Sequence, residues 1–195
     1  AQLGSANLIT LSATFTDGDG DTDSASVAIG GAFKFEDDGP AIDPADVSVP
    51  SLTVDETVFA TDASTSFAGL FTSAFGADGP KDTDDNDAAD ADAIAYALGV
   101  SASGANSGLS DTLSGDAVLL YLESGVVVGR AGGATGAVVF TVSVDADTGE
   151  VTLDQSRAVV HDNPADADEA ASPAQLGAAN LITLSATTTD GDGDP

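Results

Sequence analysis

NLITLSATFTDGDGDTDSASVAIGG, residues 7–31, decides how this chain is read. Its first ten residues are rich in β-branched and apolar types and predict a strand. Alternation resumes at Ala25, Val27 and Ile29, and Gly30–Gly31 marks a bulge or bend before Phe33 and Phe35. Between the two halves, Asp17, Asp19, Asp21 and Asp23 occupy every second position, with Gly18 and Gly20 between the first three. The expected unit is a β-hairpin with an acidic loop at its tip. Four carboxylates so close repel one another, and nothing basic lies nearby to offset them. A hard cation such as calcium is the simplest compensation, because it takes several oxygen ligands from flexible, glycine-rich backbone. In an extended stretch alternate side chains point the same way, so the carboxylates would converge on one side. A solvated polar hairpin tip is the alternative.

The same stretch returns near the end of the chain. AQLGSANLITLSATFTDGDGD at 1–21 reappears as AQLGAANLITLSATTTDGDGD at 174–194, with 19 of 21 positions identical and an offset of 173. Only Ser5, which becomes Ala178, and Phe15, which becomes Thr188, differ. An exact period of this kind indicates a tandem array, and the absence of methionine even at position 1 fits a piece cut from one. Asp190, Asp192 and Asp194 are therefore metal candidates in the same sense as Asp17, Asp19 and Asp21.

The 195 residues carry 33 acidic side chains against four basic ones, a net charge of −29. Such a field repels nucleic acid and anionic membrane surfaces, whereas bound divalent cations would relieve it. A salt-adapted surface would spread its acids over the whole exterior; here they cluster in turns. Cysteine is absent, so neither disulfides nor thiol chemistry is available. No apolar run approaches the roughly 20 residues of a membrane span, and no signal peptide is visible. We expect no membrane insertion.

EDDGPAIDP at 36–44 reads as a turn and linker, broken by its prolines and glycine. VSVPSLTVDET reads as a short strand ending at Asp55–Glu56. SFAGLFTSAF suggests irregular structure with one short helical turn, and GADGPKDTDDNDAADAD a long acidic loop. AIAYALGVS, AVLLYLES, GVVVGR, AVVFTVSV and EVTLDQSRAVV are strands, separated by a Gly/Ser-rich loop at 101–116 and tight turns at Ser124–Gly125 and Asp145–Gly149. About nine short strands joined by Gly/Asp turns describe an all-β, Ig-like or Greek-key β-sandwich with long acidic calcium-binding loops. The expected domains are a hairpin at 1–40 belonging to a preceding repeat, a main sandwich at 41–173, and the start of the next copy at 174–195. Either 1–40 or 174–195 could complete the sandwich.

Further ligand candidates are Glu36, Asp37 and Asp38 beside the proline linker, Asp55 and Glu56 at a strand end, and Asp78 in FGADG. The run from Asp82 to Asp92 reads as a solvated charge run first and as a metal site second. Asp162, Asp166, Asp168 and Glu169 could serve the following junction. An EF-hand needs glycine at loop position 6 and glutamate at position 12; starts at Asp17, Asp19 and Asp82 all fail. Catalysis has little to work with, since His161 is the only histidine and no nucleophile–base set can be assembled. We expect no enzyme. Of the two DGDGD copies, only 17–23 has its following strand, which favours that copy.

SGLSDTLSGD, GRAGGATGAVVFTVSVDADTGEVTLDQSRAVVH, FGADG and the LITLSAT–TDGDGDTDSASVAIGGAFKFEDDGP run together resemble the tandem repeats of giant bacterial RTX adhesins exported by type I secretion. The resemblance implies calcium-dependent β-sandwich extender repeats on the extracellular face of a bacterium, spacing ligand-binding modules from the cell for adhesion or biofilm formation. By motif match it assigns the metal to Asp17, Asp19, Asp21 and Asp23, and to Asp37 and Asp38. Partners would be neighbouring repeats of the same chain. A glycan- or protein-binding module using a calcium-ordered loop is the second reading.

Overall fold

Short apolar alternations separated by Gly/Asp turns fold here into antiparallel strands throughout. The computed structural model describes residues 4–5, 7–161 and 172–195, so the candidates Asp162, Asp166, Asp168 and Glu169 lie outside the described residues. The chain divides into two units, 1–38 and 39–195, which are described separately.

The smaller unit is the predicted hairpin. β1 (Thr10–Thr16) pairs with β2 (Thr22–Ala28) in unbroken antiparallel register from Thr10 opposite Ala28 to Thr16 opposite Thr22. Gly30–Ala32 then forms a single 3-10 turn where a bend was expected.

The larger unit is a β-sandwich. It contains β3 (Ala41–Pro44), β4 (Ala63–Ser66), β5 (Phe71–Ala74), β6 (Ile94–Val100), β7 (Ala105–Ser110), β8 (Ala117–Glu123), β9 (Val126–Ala131), β10 (Val138–Val144), β11 (Glu150–Gln155) and β12 (Ile182–Thr188). Six of them form one sheet in the order β4-β11-β10-β9-β8-β7, and the pairs β12-β6 and β3-β5 complete the strand inventory. Val118, Leu120, Val127 and Val139 are fully buried at the centre, with Leu98 of β6 closing the core from the opposite layer and Ile182 and Leu184 of β12 packed beside it. Gly129 on β9 is obligatory: a Cβ there would stand 2.5 Å from the Phe140 ring. The β8–β9 hairpin turns at Ser124 (φ 50°) and Gly125 (φ 84°), both left-handed as this tight connection requires.

Four expectations are corrected. Residues 47–55 form no strand; Pro50 lacks a ladder donor, and Asp55 caps a 3-10 turn over Glu56–Val58 instead. The Gly/Ser-rich stretch 101–116 is not all loop, because Ala105–Ser110 is β7, the edge strand of the large sheet. Its register shifts between Asn106 and Ser110, where Gly108 takes φ 86°, so the strand accepts glycine as a bulge. The linker 36–44 ends in a real strand, β3, with Pro44 at its terminus on a short two-stranded ladder, a position that tolerates proline. SFAGLFTSAF keeps its expected short helical turn, a 3-10 turn at Ala68–Leu70, but the chain flanking it is β4 and β5 rather than irregular.

The question of which copy completes the sandwich has a definite outcome. β12 runs antiparallel to β6 from Ile182 opposite Val100 to Thr188 opposite Ile94. Residues 174–195 thus belong to the same unit as 39–173.

Candidate metal centre

Both DGDGD stretches fold into the same turn. In the first, Asp17 N–H donates to Asp21 C=O at 2.9 Å and Gly20 N–H to Asp17 C=O at 3.3 Å. In the second, Asp190 N–H donates to Asp194 C=O at 3.1 Å and Gly193 N–H to Asp190 C=O at 3.2 Å. The leading aspartate carboxylate accepts the amide four residues on in each copy, Asp21 at 2.9 Å and Asp194 at 2.9 Å. Gly20 (φ 100°) and Gly193 (φ 97°) occupy the same left-handed position. Identical sequence here produces identical local structure, because each carboxylate closes an Asx turn on its own backbone.

This turn corrects the expectation of an extended carboxylate ladder. Asp17, Asp19 and Asp21 each bring one carboxylate oxygen within 4.8 Å of the others through the turn. Asp23 instead sits on β2 opposite Phe15, its Oδ1 accepting Ser24 N–H. All four are exposed. Hydrogen bonding with Asp19 leads in holding the Asp17 carboxyl below the usual range, with the Asp21 and Asp19 amides adding to it and partial desolvation opposing.

The second copy has a different setting. The segment 78–81 runs against it: Gly191 N–H donates to Gly79 C=O at 3.0 Å, Lys81 N–H donates to Thr189 C=O at 3.0 Å, and Pro80 bridges Asp190. The approach is so close that a Cβ on Gly191 would lie 2.6 Å from Asp78 O. Asp78, Asp190 and Asp192 then place carboxylate oxygens within 4.8 Å of one another. Asp190 is wholly buried (0% exposed), and its Oδ2 has no hydrogen-bond partner among the described residues, while Oδ1 is committed to Gly193 N–H and Asp194 N–H. An ionised oxygen buried without a donor is expensive. The three side chains offer only hard oxygen donors, which suits a group 2 cation rather than zinc or copper. The residues therefore fit a metal ion. Asp194 shapes the turn through its amide and lies outside this trio.

The other candidates are placed as follows. Glu36, Asp37 and Asp38 are exposed in irregular chain at the end of the first unit. Asp55 accepts Thr57 N–H at 2.8 Å, and hydrogen bonding with the Thr57 side chain, reinforced by that amide, lowers its pKa. Glu56 Oε2 accepts Val159 N–H at 3.3 Å and stands 3.8 Å from His161 Nε2. Asp55 and Glu56 therefore already serve a cap and an inter-loop contact rather than sharing a ligand position. Asp145 accepts Asp147 and Thr148 amides in the β10–β11 turn, with Gly149 at φ 66°, as the hairpin reading expected.

In the acidic run, whose first reading is a solvated loop and whose second is a metal site, Asp82, Asp84 and Asp90 bring carboxylate oxygens within 4.8 Å of each other. Asp82 accepts Asn86 N–H and Asp87 N–H, and Asp87 takes φ 63°, so an aspartate fills the left-handed sixth position where glycine was sought. Thr83 donates both its amide and its hydroxyl to Asp90, which holds that carboxyl below the usual range. The alternation Asp82, Asp84, Asn86 was the available signal.

Away from these loops, Asp111 is fully buried and accepts Arg157 Nε and Nη2, each at 2.8 Å, together with Ser114 N–H at 2.8 Å. The Arg157 guanidinium holds the Asp111 carboxyl far below the ordinary range against the opposing effect of burial. This pair pins the segment after β11 to the end of β7. Among the described residues no helix is long and apolar enough to cross a membrane.

No curated protein and no solved structure matches the chain. A family of domains does, over residues 51–195, a span that includes Asp78, Asp190 and Asp192 and covers most of the chain; the protein belongs to that family, described as Domain of unknown function (DUF5801).

Proposed function

We propose that this chain is a calcium-binding structural repeat of an RTX-type bacterial surface adhesin exported by type I secretion. It would act outside the cell as a spacer that carries ligand-binding modules away from the surface for attachment or biofilm formation. The observation that supports this reading is Asp190, a buried carboxylate that has one oxygen without a hydrogen-bond partner among the described residues and two further carboxylates within 4.8 Å. A calcium ion held by Asp78, Asp190 and Asp192 would tie the 78–81 segment to the turn that ends β12. That tie stiffens the sandwich where its last strand closes on β6. Extracellular modules of this kind bind calcium with dissociation constants on the order of 10⁻⁴–10⁻³ M, matched to an environment where calcium is abundant. The net charge of −29 adds a general demand for divalent counter-ions and disfavours polyanionic partners. A calcium titration followed by melting temperature and small-angle scattering tests the proposal. Calcium should raise the melting temperature and narrow the distribution of molecular dimensions; if chelation in low salt changes neither, the calcium-stiffened spacer is wrong.

A further inference from the structure

The β1–β2 hairpin carries an unpartnered apolar face whose occupant is identified by its own repeat. Leu11 (59% exposed), Phe15 (71%) and Val27 (58%) lie open on it, beside Ile9 and Ala13. A two-stranded hairpin is at best marginally stable in water and needs a third strand or a packing layer. In the second copy the equivalents of Ile9, Leu11, Ala13 and Phe15 are Ile182, Leu184, Ala186 and Thr188. These four point inward on β12, with Ile182 and Leu184 packed on the core and Thr188 buried.

The backbone edges agree as well. Ile29 N–H donates to Ile9 C=O and Asp17 N–H to Asp21 C=O, so odd-numbered residues of β1 bond across to β2. Thr10, Ser12 and Thr14 therefore turn their amides to the free edge. In β12, Ser101 N–H donates to Leu181 C=O and Thr189 N–H to Ala93 C=O. The residues facing β6 are thus Thr183, Ser185 and Thr187, the equivalents of Thr10, Ser12 and Thr14. The edge that β1 leaves free is the edge that β12 uses, and the edge that β12 leaves free is the one β1 gives to β2. The β6 of this chain is already taken by β12.

We propose that the 1–38 hairpin is a docking element for the β6 edge of a preceding copy of the 39–173 sandwich, one that has no β12 of its own, where it takes the place that β12 fills in this chain. There it would form a continuous β6–β1–β2 layer and bring the Asp17 turn to that copy's equivalent of Asp78. The inference rests on the repeat register and edge polarity, not on the cation. The test joins residues 1–173 directly ahead of the complete chain, so that the internal hairpin follows a sandwich that lacks its own β12. With the second copy segmentally isotope-labelled, amide exchange at Thr10, Ser12 and Thr14 of the internal hairpin should slow by at least about 100-fold relative to the same amides in the single chain. Leu11→Asp in the internal copy should restore fast exchange. Fast exchange in the unsubstituted tandem chain, or protection that survives Leu11→Asp, overturns the proposal. The same measurement in chelator separates the two ideas: protection that persists while calcium has no effect on melting leaves the docking standing and removes the metal reading.

Discussion

Replacing Asp190 by asparagine should reverse sign according to whether calcium is present. Asparagine keeps an oxygen where Oδ1 accepts Gly193 and Asp194 amides, so the turn itself survives. What changes is the charge on a fully buried group whose second oxygen has no donor among the described residues and whose neighbours within 4.8 Å are the Asp78 and Asp192 carboxylates. Without calcium, Asp190→Asn removes a buried repulsion and should leave the melting temperature unchanged or raised. With calcium, it removes the central ligand. At about 10 mM calcium and a dissociation constant near 10⁻⁴ M, occupancy stabilises the folded state by about 2.7 kcal/mol. For a unit of this size that is roughly 5–11 °C in melting temperature.

The wild type should therefore gain that increment on adding calcium, and Asp190→Asn should gain little of it. Tyrosine fluorescence is the appropriate probe, because Tyr96 and Tyr121 both lie in the 39–195 unit. The reasoning fails if Asp190→Asn responds to calcium as fully as the wild type. It fails equally if the substitution destabilises the calcium-free protein, since the buried charge would then have a donor the structure does not show.

The repeated turn offers an internally controlled pair of substitutions. Gly191→Ala puts a Cβ 2.6 Å from Asp78 O and should destabilise the larger unit by about 1–3 kcal/mol while weakening calcium binding, whereas Gly18→Ala meets nothing within 4 Å and should fall within about 0.5 kcal/mol of the wild type; chemical denaturation of both variants checks the contrast. Leu120→Ala, at a fully buried central position, should lower stability by about 2–5 kcal/mol with the urea slope unchanged. The Asp111–Arg157 pair sets an acid limit: a carboxyl whose native pKa is depressed contributes stability that is complete above the unfolded value near 3.9 and lost as pH falls through the native value. Urea midpoints should therefore drop steeply below about pH 4 in the wild type and less steeply in Asp111→Asn.

Strand alternation made the sandwich legible from AIAYALGVS, AVLLYLES, GVVVGR and AVVFTVSV, because half-buried strands must repeat with period two. β7 was hidden because its residues, ANSGLS, combine a buried serine with a glycine bulge and so lack the apolar signature. β3 was hidden by its prolines, which a two-stranded edge ladder tolerates but a linker equally explains. Local turn chemistry was legible too: Gly149 and Ser124–Gly125 sit in the left-handed conformations their hairpins need. The glycine test passed over the 82–90 loop because an aspartate, Asp87, supplies its left-handed residue.

The choice between the two DGDGD copies could not be read from their own residues, and the reason is physical. The turn is closed by hydrogen bonds within five residues, so both copies fold alike and present the same carboxylates. What marks the second copy is long-range: within the 39–195 unit, Asp78 and the Gly79–Lys81 backbone approach its turn, at a distance that requires glycine at 191. A following strand, the feature that favoured the first copy, bears on hairpin completeness and not on burial. Burial removes the water that solvates a carboxylate, so that donors or a cation must take its place. Gly79 of FGADG and Gly191 of DGDGD, joined by a 3.0 Å backbone hydrogen bond, therefore act as one motif split across the chain, and it is this approach rather than the density of aspartates that sets Asp190 apart.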